Sequence, residues 1–195
     1  MRIILIRHGQ TTGDVEDRYG GDYDDHLSLE GRKQSERLAE ELKEKGIALI
    51  ISSPLIRARE TSEIISRNTA PIVIEKDLRE RNQYGILTGE VKSDARQKYP
   101  DLVEKVKDRL NTIEGAESYE DFSRRVQTVF HRLATDAVHS CIGIVWHGGP
   151  MRVLFRDILK KGELGKEIGD CGWVELRLEG DQFTIEDSRR IEFLF

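Results

Sequence analysis

The chain reads as an α/β protein: a doubly wound, mostly parallel sheet flanked by helices on both faces, with a small helical lid. Three short apolar runs carry that reading. Ile3-Ile4-Leu5-Ile6 is a continuous, mostly β-branched stretch that fits a strand buried on both faces, and it stops at Arg7-His8-Gly9. Ile142-Gly143-Ile144-Val145-Trp146 repeats the plan and stops at His147-Gly148-Gly149. Ala48-Leu49-Ile50-Ile51-Ser52-Ser53 ends at Pro54, with Arg57 three residues on. Ligands of open α/β sheets bind outside the carboxyl ends of the strands. Arg7, His8, Arg57 and His147 lie at or just beyond those ends.

The remaining elements follow in order. Gln10 to Asp25 is rich in glycine and aspartate without apolar periodicity, which predicts a long loop beside the site. Ser28 is placed to cap a helix from Leu29 to about Lys45, with Gly46 as its stop. Pro54 suits the first turn of a second helix running to about Arg67, with Arg57 near its N-terminus. Ile72-Val73-Ile74 reads as another buried strand. From residue 82 to 117 the pattern turns mixed and charged, with helical stretches around Asp94–Tyr99 and Asp101–Leu110, predicting an excursion that forms the lid. Ser118 and Asp121 open a helix to about Ala137, whose stripe of Phe122, Val126, Val129, Phe130 and Leu133 belongs to the core. A helix from Pro150 to about Lys160 comes next. A short hairpin of Trp173–Leu178 and Phe183–Asp187, turning at Gly180-Asp181, closes the chain.

Composition narrows the function. The 195 residues, 37% hydrophobic and 34% charged, fit a single soluble domain spanning 1–195, with the lid inserted at about 82–117. No apolar run approaches the roughly 20 residues of a membrane span, and the first is shorter than the roughly 7–15 of a secretory signal. A cytoplasmic protein without a membrane partner is expected. A net charge of −5 argues against nucleic acid as a partner. Cys141 and Cys171 are too few and too far apart for a disulfide scaffold or a zinc knuckle, and read as reduced, packed thiols. His26, His131 and His139 form no metal-ligand spacing and read as structural or surface groups. Two arginines and two histidines gathered in an acidic protein call for an anion among them.

Ile4 to Thr11, ILIRHGQT, resembles the signature of the histidine phosphatase superfamily, the phosphoglycerate mutase-like enzymes. Further blocks follow in the family's order. They are Arg18-Tyr19-Gly20-Gly21 with Leu27-Ser28 and Gly31-Arg32; Ser53-Pro54-Leu55 with Arg57-Ala58 and Thr61; and Leu78-Arg79-Glu80-Arg81 with Tyr84-Gly85 and Gly89. Glu117-Ser118 with Arg125-Val126, and then His147-Gly148-Gly149, complete the set. The resemblance implies that His8 is the nucleophile and forms a phosphohistidine, that Arg7, Arg57 and His147 hold the phosphoryl oxygens, and that Glu80 protonates the leaving oxygen. It also implies a substrate-binding set of Gly9, Thr11, Asp14, Gly20, Gly21, Tyr84, Lys92 and Gly148. It calls for no metal and no cofactor, and for a small phosphorylated molecule as partner; it leaves the oligomeric state open.

The chain also departs from the family pattern. Asp14 stands where asparagine is usual, and a carboxylate beside phosphate is expected to pair with an arginine, with the loop slightly displaced. Trp146 replaces a small or hydroxylated residue and is expected to fill the core rather than narrow the pocket. One residue is added between Glu80 and Tyr84-Gly85 relative to the mutases. Tyr84 and Lys92 resemble positions at which mutases hold substrate, but the adjacent arginine pair of the mutase lid is missing: Pro100 to Glu117 offers only Arg109. A lid short of cations suits release of product and attack by water. The expected activity is therefore phosphomonoester hydrolysis. The alternatives are a cofactor-dependent phosphoglycerate mutase and a non-catalytic phosphate-binding module.

Overall fold

A computed structural model describes residues 1–67, 69–135, 138–160, 163–180 and 182–194. Six strands form one mixed sheet: β1 (Arg2–Arg7), β2 (Leu49–Ser52), β3 (Ile72–Ile74), β4 (Cys141–Trp146), β5 (Glu163–Glu179) and β6 (Gln182–Leu194), in the order β3-β2-β4-β1-β5-β6. The first four strands are mutually parallel, while β5 runs antiparallel to β1 and β6 antiparallel to β5.

The four apolar residues of β1 divide between two cores as a two-residue period requires. Ile3 and Leu5 pack with Ile144, Trp146 and the Phe122–Val126–Phe130 stripe of helix α6 (Tyr119–Thr135), for which the sequence predicted a core role. Ile4 and Ile6 face the other way, toward Leu38 and Leu42 of α2 (Leu29–Leu42) and Ala58 of α3 (Ile56–Ser66). Trp146 is fully buried in the first core, where its volume fills space under α6, so it packs rather than shaping the pocket. Both cysteines are buried free thiols.

Several expectations change in detail. The Gln10–Asp25 loop contains one helical turn, α1 (Thr12–Val15). Pro54 precedes α3 instead of starting it, because the helix begins only after Leu55 in extended conformation. Strand β3 is an edge strand rather than a buried one: with only β2 beside it, Val73 and Ile74 stay 51% and 48% exposed. An apolar run of three cannot distinguish the two positions. The closing hairpin is much longer than predicted. Its outer parts are charged and glycine-containing, and its pairing is broken by register shifts near Ile168, Trp173 and Glu175, with Cys171 and Arg190 at positive φ. Such stretches read as loop. The helix after β4 is α7 (Gly148–Val153), continued by a wider π-helical turn over Leu154–Ile158. Ala137, where helix α6 was expected to end, and Asp181 of the expected turn lie outside the described residues.

Between β3 and α6, the excursion at 82–117 holds α4 (Lys92–Lys98) and α5 (Pro100–Lys105) around a small core of Leu87, Ala95, Val106 and Ile113 that also takes in Tyr19. It is fastened to the loop after β1 by backbone hydrogen bonds: Tyr19 N to Glu90 O and Gly89 N to Tyr19 O, at 2.9 and 2.8 Å. That loop in turn lies against α2, where Ser28 Oγ accepts from Gly31 N at 3.0 Å as the N-cap. Gly31 is buried against the Gln10 carbonyl, and a Cβ there would overlap it. We expect Gly31→Ala to lower stability by about 2 kcal/mol, through overpacking against backbone that cannot rotate away. Urea unfolding measures this, and an unchanged midpoint would mean the loop stands off the helix.

Candidate active site

Strands β1, β4 and β2 are neighbours, so their carboxyl ends deliver Arg7 and His8, His147, and the Ser53–Arg57 turn to one place. His8 is 6% exposed, and its ring centroid lies 5.1 Å from that of His147. The hydrogen bonds assign its tautomer. Nδ1–H donates to the carbonyl of Gly9 at 2.8 Å, while Nε2 accepts from Arg57 Nε at 3.1 Å. The nitrogen facing Arg57 thus carries a lone pair. Burial, and after it the charges of Arg57 and Arg7, hold the His8 pKa well below the usual imidazole range. His147 is likewise kept neutral, by burial first and then by Arg57. Its Nε2 shares a hydrogen bond with Ser53 Oγ at 2.7 Å, and its buried Nδ1 has no partner among the described residues.

Arg57 is buried, and four of its five N–H groups are engaged, the first by His8. One terminal nitrogen bonds Asp25 Oδ1 at 3.0 Å and the Tyr23 carbonyl at 2.5 Å, and the other bonds the Gly21 carbonyl at 2.7 Å. Asp25 also accepts from Gly13 N at 3.0 Å. Arg7 is held by Asp170 at 3.3 Å and by the Ile168 carbonyl. Burial pushes the Asp170 carboxyl up while the Arg7 charge opposes it.

Glu80 sits across the cavity, with Oε1 accepting from Arg81 N at 2.7 Å and Oε2 from Gly149 N at 2.9 Å. Gly149 has no room for a side chain, since a Cβ would run into this carboxyl group. Burial raises the Glu80 pKa against those two N–H donors and the more distant arginines. The carboxyl of Glu80 and the imidazole of His8 are thereby pushed in opposite directions.

The cavity these groups surround has a volume of about 770 Å³. Arg7, His8, Arg57 and Glu80 line it, as do Thr11, Asp14, Gly20, Gly21, Tyr84, Lys92 and Gly148. His147 stands behind the wall, beside His8. Gly9 does not line the cavity: it packs on α2, where a Cβ would lie 2.6 Å from the Gly31 carbonyl oxygen, and serves through the carbonyl that orients His8. Among the described residues Asp14 pairs with no arginine. Its carboxylate accepts from Thr11 N at 2.9 Å while Thr11 Oγ1 accepts from Asp14 N at 3.0 Å, a capping box that turns the charge onto helix α1. Thr11-x-x-Asp14 is that motif, and it was open to reading in the sequence. Lys92 is engaged by Asp17 at 2.6 Å.

Asp25, Asp170 and Arg152 also line the cavity without having been expected there, as does Arg18, to which the sequence assigned no role. Asp25 and Asp170 lie in stretches that read as loop, without a motif of their own. Among the described residues, no cluster of three His, Cys, Asp or Glu side chains is arranged to hold a metal ion.

The description of one protein family, the histidine phosphatase superfamily (branch 1), matches residues 3–190. The chain belongs to that family. It is an enzyme of phosphomonoester hydrolysis by membership. It is 32% identical over 193 residues to a metal-independent phosphoserine phosphatase of Arabidopsis thaliana, covering 95% of this chain and 79% of that one. It is 30% identical over 191 residues to phosphoglycerate mutase-like protein 4 of the same plant, covering 94% and 83%. A mycobacterial glucosyl-3-phosphoglycerate phosphatase, solved with VO3, has a TM-score of 0.81 at 26% identity, with 95% and 96% covered. The α-ribazole phosphatase of Shigella flexneri shares the fold, with a TM-score of 0.84 at 23% identity over the whole of both chains.

Removing the Asp25 charge leaves a buried guanidinium uncompensated. Asp25→Asn is expected to lower stability by about 3 kcal/mol. An Asp25→Asn protein that unfolds at the wild-type urea concentration would show that the Tyr23 and Gly21 carbonyls hold Arg57 unaided.

Proposed function

We propose that the chain hydrolyses small phosphomonoesters in two steps through a phosphohistidine on His8. In the first, His8 Nε2 forms a bond to phosphorus, the bond to the ester oxygen breaks, and Glu80 gives its proton to that oxygen. In the second, water attacks the phosphorus, the Glu80 carboxylate takes the water proton, and the P–N bond breaks to release phosphate and neutral His8. Arg7 and the one N–H of Arg57 left over by its four acceptors are the donors for the equatorial oxygens, and His147, with its unpartnered Nδ1 beside His8, is the third group assigned to them. The observation that carries this reading is the His8 tautomer, with its lone pair on the nitrogen beside the Arg57 guanidinium.

The protonation states support it. With ordinary values near 6.5 for histidine and 4.3 for glutamate, a neutral imidazole and a protonated carboxyl would scarcely coexist. Burial lowers the first and raises the second, which opens a pH window in which both forms are populated. The segment 82–117 is read as the lid whose packing keeps Glu80 dry. Hydrolysis is favoured over mutase chemistry because the lid adds little free positive charge to the main cavity: Lys92 is paired with Asp17, and Arg109 does not line it.

His8→Ala should reduce turnover of p-nitrophenyl phosphate at least ~100-fold, since the covalent route is gone. A variant retaining most of the activity would end the phosphohistidine reading. In wild type, kcat/KM should fall on the alkaline side as Glu80 loses its proton and on the acid side as His8 gains one. Glu80→Gln should depress alkyl phosphates much more than p-nitrophenyl phosphate, whose leaving oxygen needs no proton. Equal depression of both would remove Glu80 as the acid. With 3-phosphoglycerate and a trace of the bisphosphate, phosphate release is the expected product. Rapid isomerisation without release would assign the chain to the mutases.

A further inference from the structure

Arg7 and Arg57, the two arginines assigned to the phosphoryl group, each have a carboxylate partner, and the two pairs differ. Arg57 and Asp25 are sealed in, 3.0 Å apart, with side chains 5% and 6% exposed. Arg7 and Asp170 are 3.3 Å apart, with side chains 24% and 23% exposed, and both line the cavity, as does His8. Asp25 also accepts from the Gly13 N–H, whereas the neutral polar group beside Asp170 is the Gln34 side chain of α2. Of the two counter-charges, Asp170 is the one open to exchange.

An irregularity in the sheet delivers Asp170. Between the pairs Ile168–Ile191 and Trp173–Arg189, β5 carries more residues than β6, so the strand bulges. The bulge is pinned on both sides. Cys171, at φ 54°, donates its N–H to the His8 carbonyl at 3.1 Å, and the Arg190 guanidinium holds the Cys171 carbonyl at 2.9 Å. Gly172 packs so closely that a Cβ would lie 2.7 Å from the Gly169 carbonyl oxygen. A left-handed residue other than glycine persists where its surroundings hold it, and bulges beside active sites re-aim a side chain. Here they aim the Ile168 carbonyl and the Asp170 carboxylate at Arg7.

That position puts two anions in competition for one guanidinium. We propose that Asp170 sets how tightly the phosphoryl group is held: it occupies Arg7 in the free enzyme, and when a dianion docks on Arg7 the Asp170 carboxylate takes up one proton from solvent. This rests on the phosphatase reading, in which Arg7 holds a phosphoryl oxygen. The charged groups that act on Asp170 are Arg7 from β1 and Asp14 from α1, which lines the same cavity. Burial pushes the Asp170 carboxyl up, Arg7 pulls it down, and Asp14 pushes it up again. A bound dianion adds another like charge and offsets the field of Arg7, and both changes favour the protonated acid. Affinity is thereby linked to pH. Below the free-enzyme pKa of Asp170 the carboxyl is neutral in both states and the anion binds at full strength. Above it each pH unit weakens binding by up to about tenfold, until the bound form also ionises. For a hydrolase, the consequence is a product phosphate that is held loosely.

Sulfate is the probe, because it stays a dianion and brings no titration of its own. Calorimetry in buffers of different ionisation enthalpy counts the protons taken up on binding. The Glu80→Gln protein is used throughout, so that the other carboxyl at the reaction centre contributes none. Proton uptake at mildly acidic pH is expected, with sulfate affinity falling as pH rises. Adding Asp170→Asn should remove most of the uptake, flatten the pH dependence and tighten sulfate about tenfold or more at neutral pH. Asp170→Ser also removes the charge and carries the test if the asparagine variant does not fold. The same uptake and pH dependence with and without the Asp170 carboxylate would overturn its role. Weaker sulfate binding by the variants would overturn it too, leaving Asp170 as a mere prop for Arg7. Either result leaves the phosphatase reading standing. Sulfate that neither binds nor competes with p-nitrophenyl phosphate in wild type would remove the anion site itself, and the role of Asp170 with it.

Discussion

The Arg57 guanidinium is the constraint on which the site depends. A buried cation is tolerated only when paired and hydrogen-bonded, and Arg57 meets that demand from three directions: His8 on one side, Asp25 and the Tyr23 carbonyl on another, and the Gly21 carbonyl on the third. Satisfying it draws the loop after β1 onto α3. The same contacts fix the imidazole tautomer and place Gly20 and Gly21 at the cavity. Few apolar residues help, so the loop is ordered mainly by polar bonds, including the α1 capping box and the Gly13–Asp25 contact.

Burial prepares the chemistry with one physical effect acting on two kinds of group. Withdrawing a titratable side chain from water favours its neutral form. In the proposed mechanism the neutral form of His8 is the nucleophile and that of Glu80 the proton donor, so desolvation serves both. Neighbouring charge then acts differently on the two. Arg57 and Arg7 reinforce the effect on the imidazole, whereas backbone N–H donors and arginines temper it on Glu80, which the proposed mechanism also uses as a carboxylate.

What can be read from the chain is what depends on local pattern. Strands β1 and β4 are legible because a run of four or five apolar residues that halts at His-Gly fits little besides a buried strand opening onto a ligand. Helices α2 and α6 are legible because cap and stripe agree. Strand β3 reads as buried, although its exposure depends on having a neighbour on one side only. The closing hairpin is foreshortened in the sequence because register shifts let charged and glycine-containing residues pair. Asp14 stands out for its charge, while the threonine three residues before it decides where that charge goes. Asp25 and Asp170 have no sequence signal, since each owes its importance to a partner far along the chain.

By itself the sequence determined the alternation of strand and helix, the division of β1 between two cores, and the chemical types gathered at the strand ends. These follow from the periodicity of apolar residues, which acts over a few residues at a time. Only the tertiary structure decided which nitrogen of His8 holds the lone pair and which carboxylates neutralise Arg7 and Arg57. The reason is that hydrogen-bond direction, desolvation and cavity shape arise between segments more than a hundred residues apart as readily as between neighbours, and no local pattern encodes them.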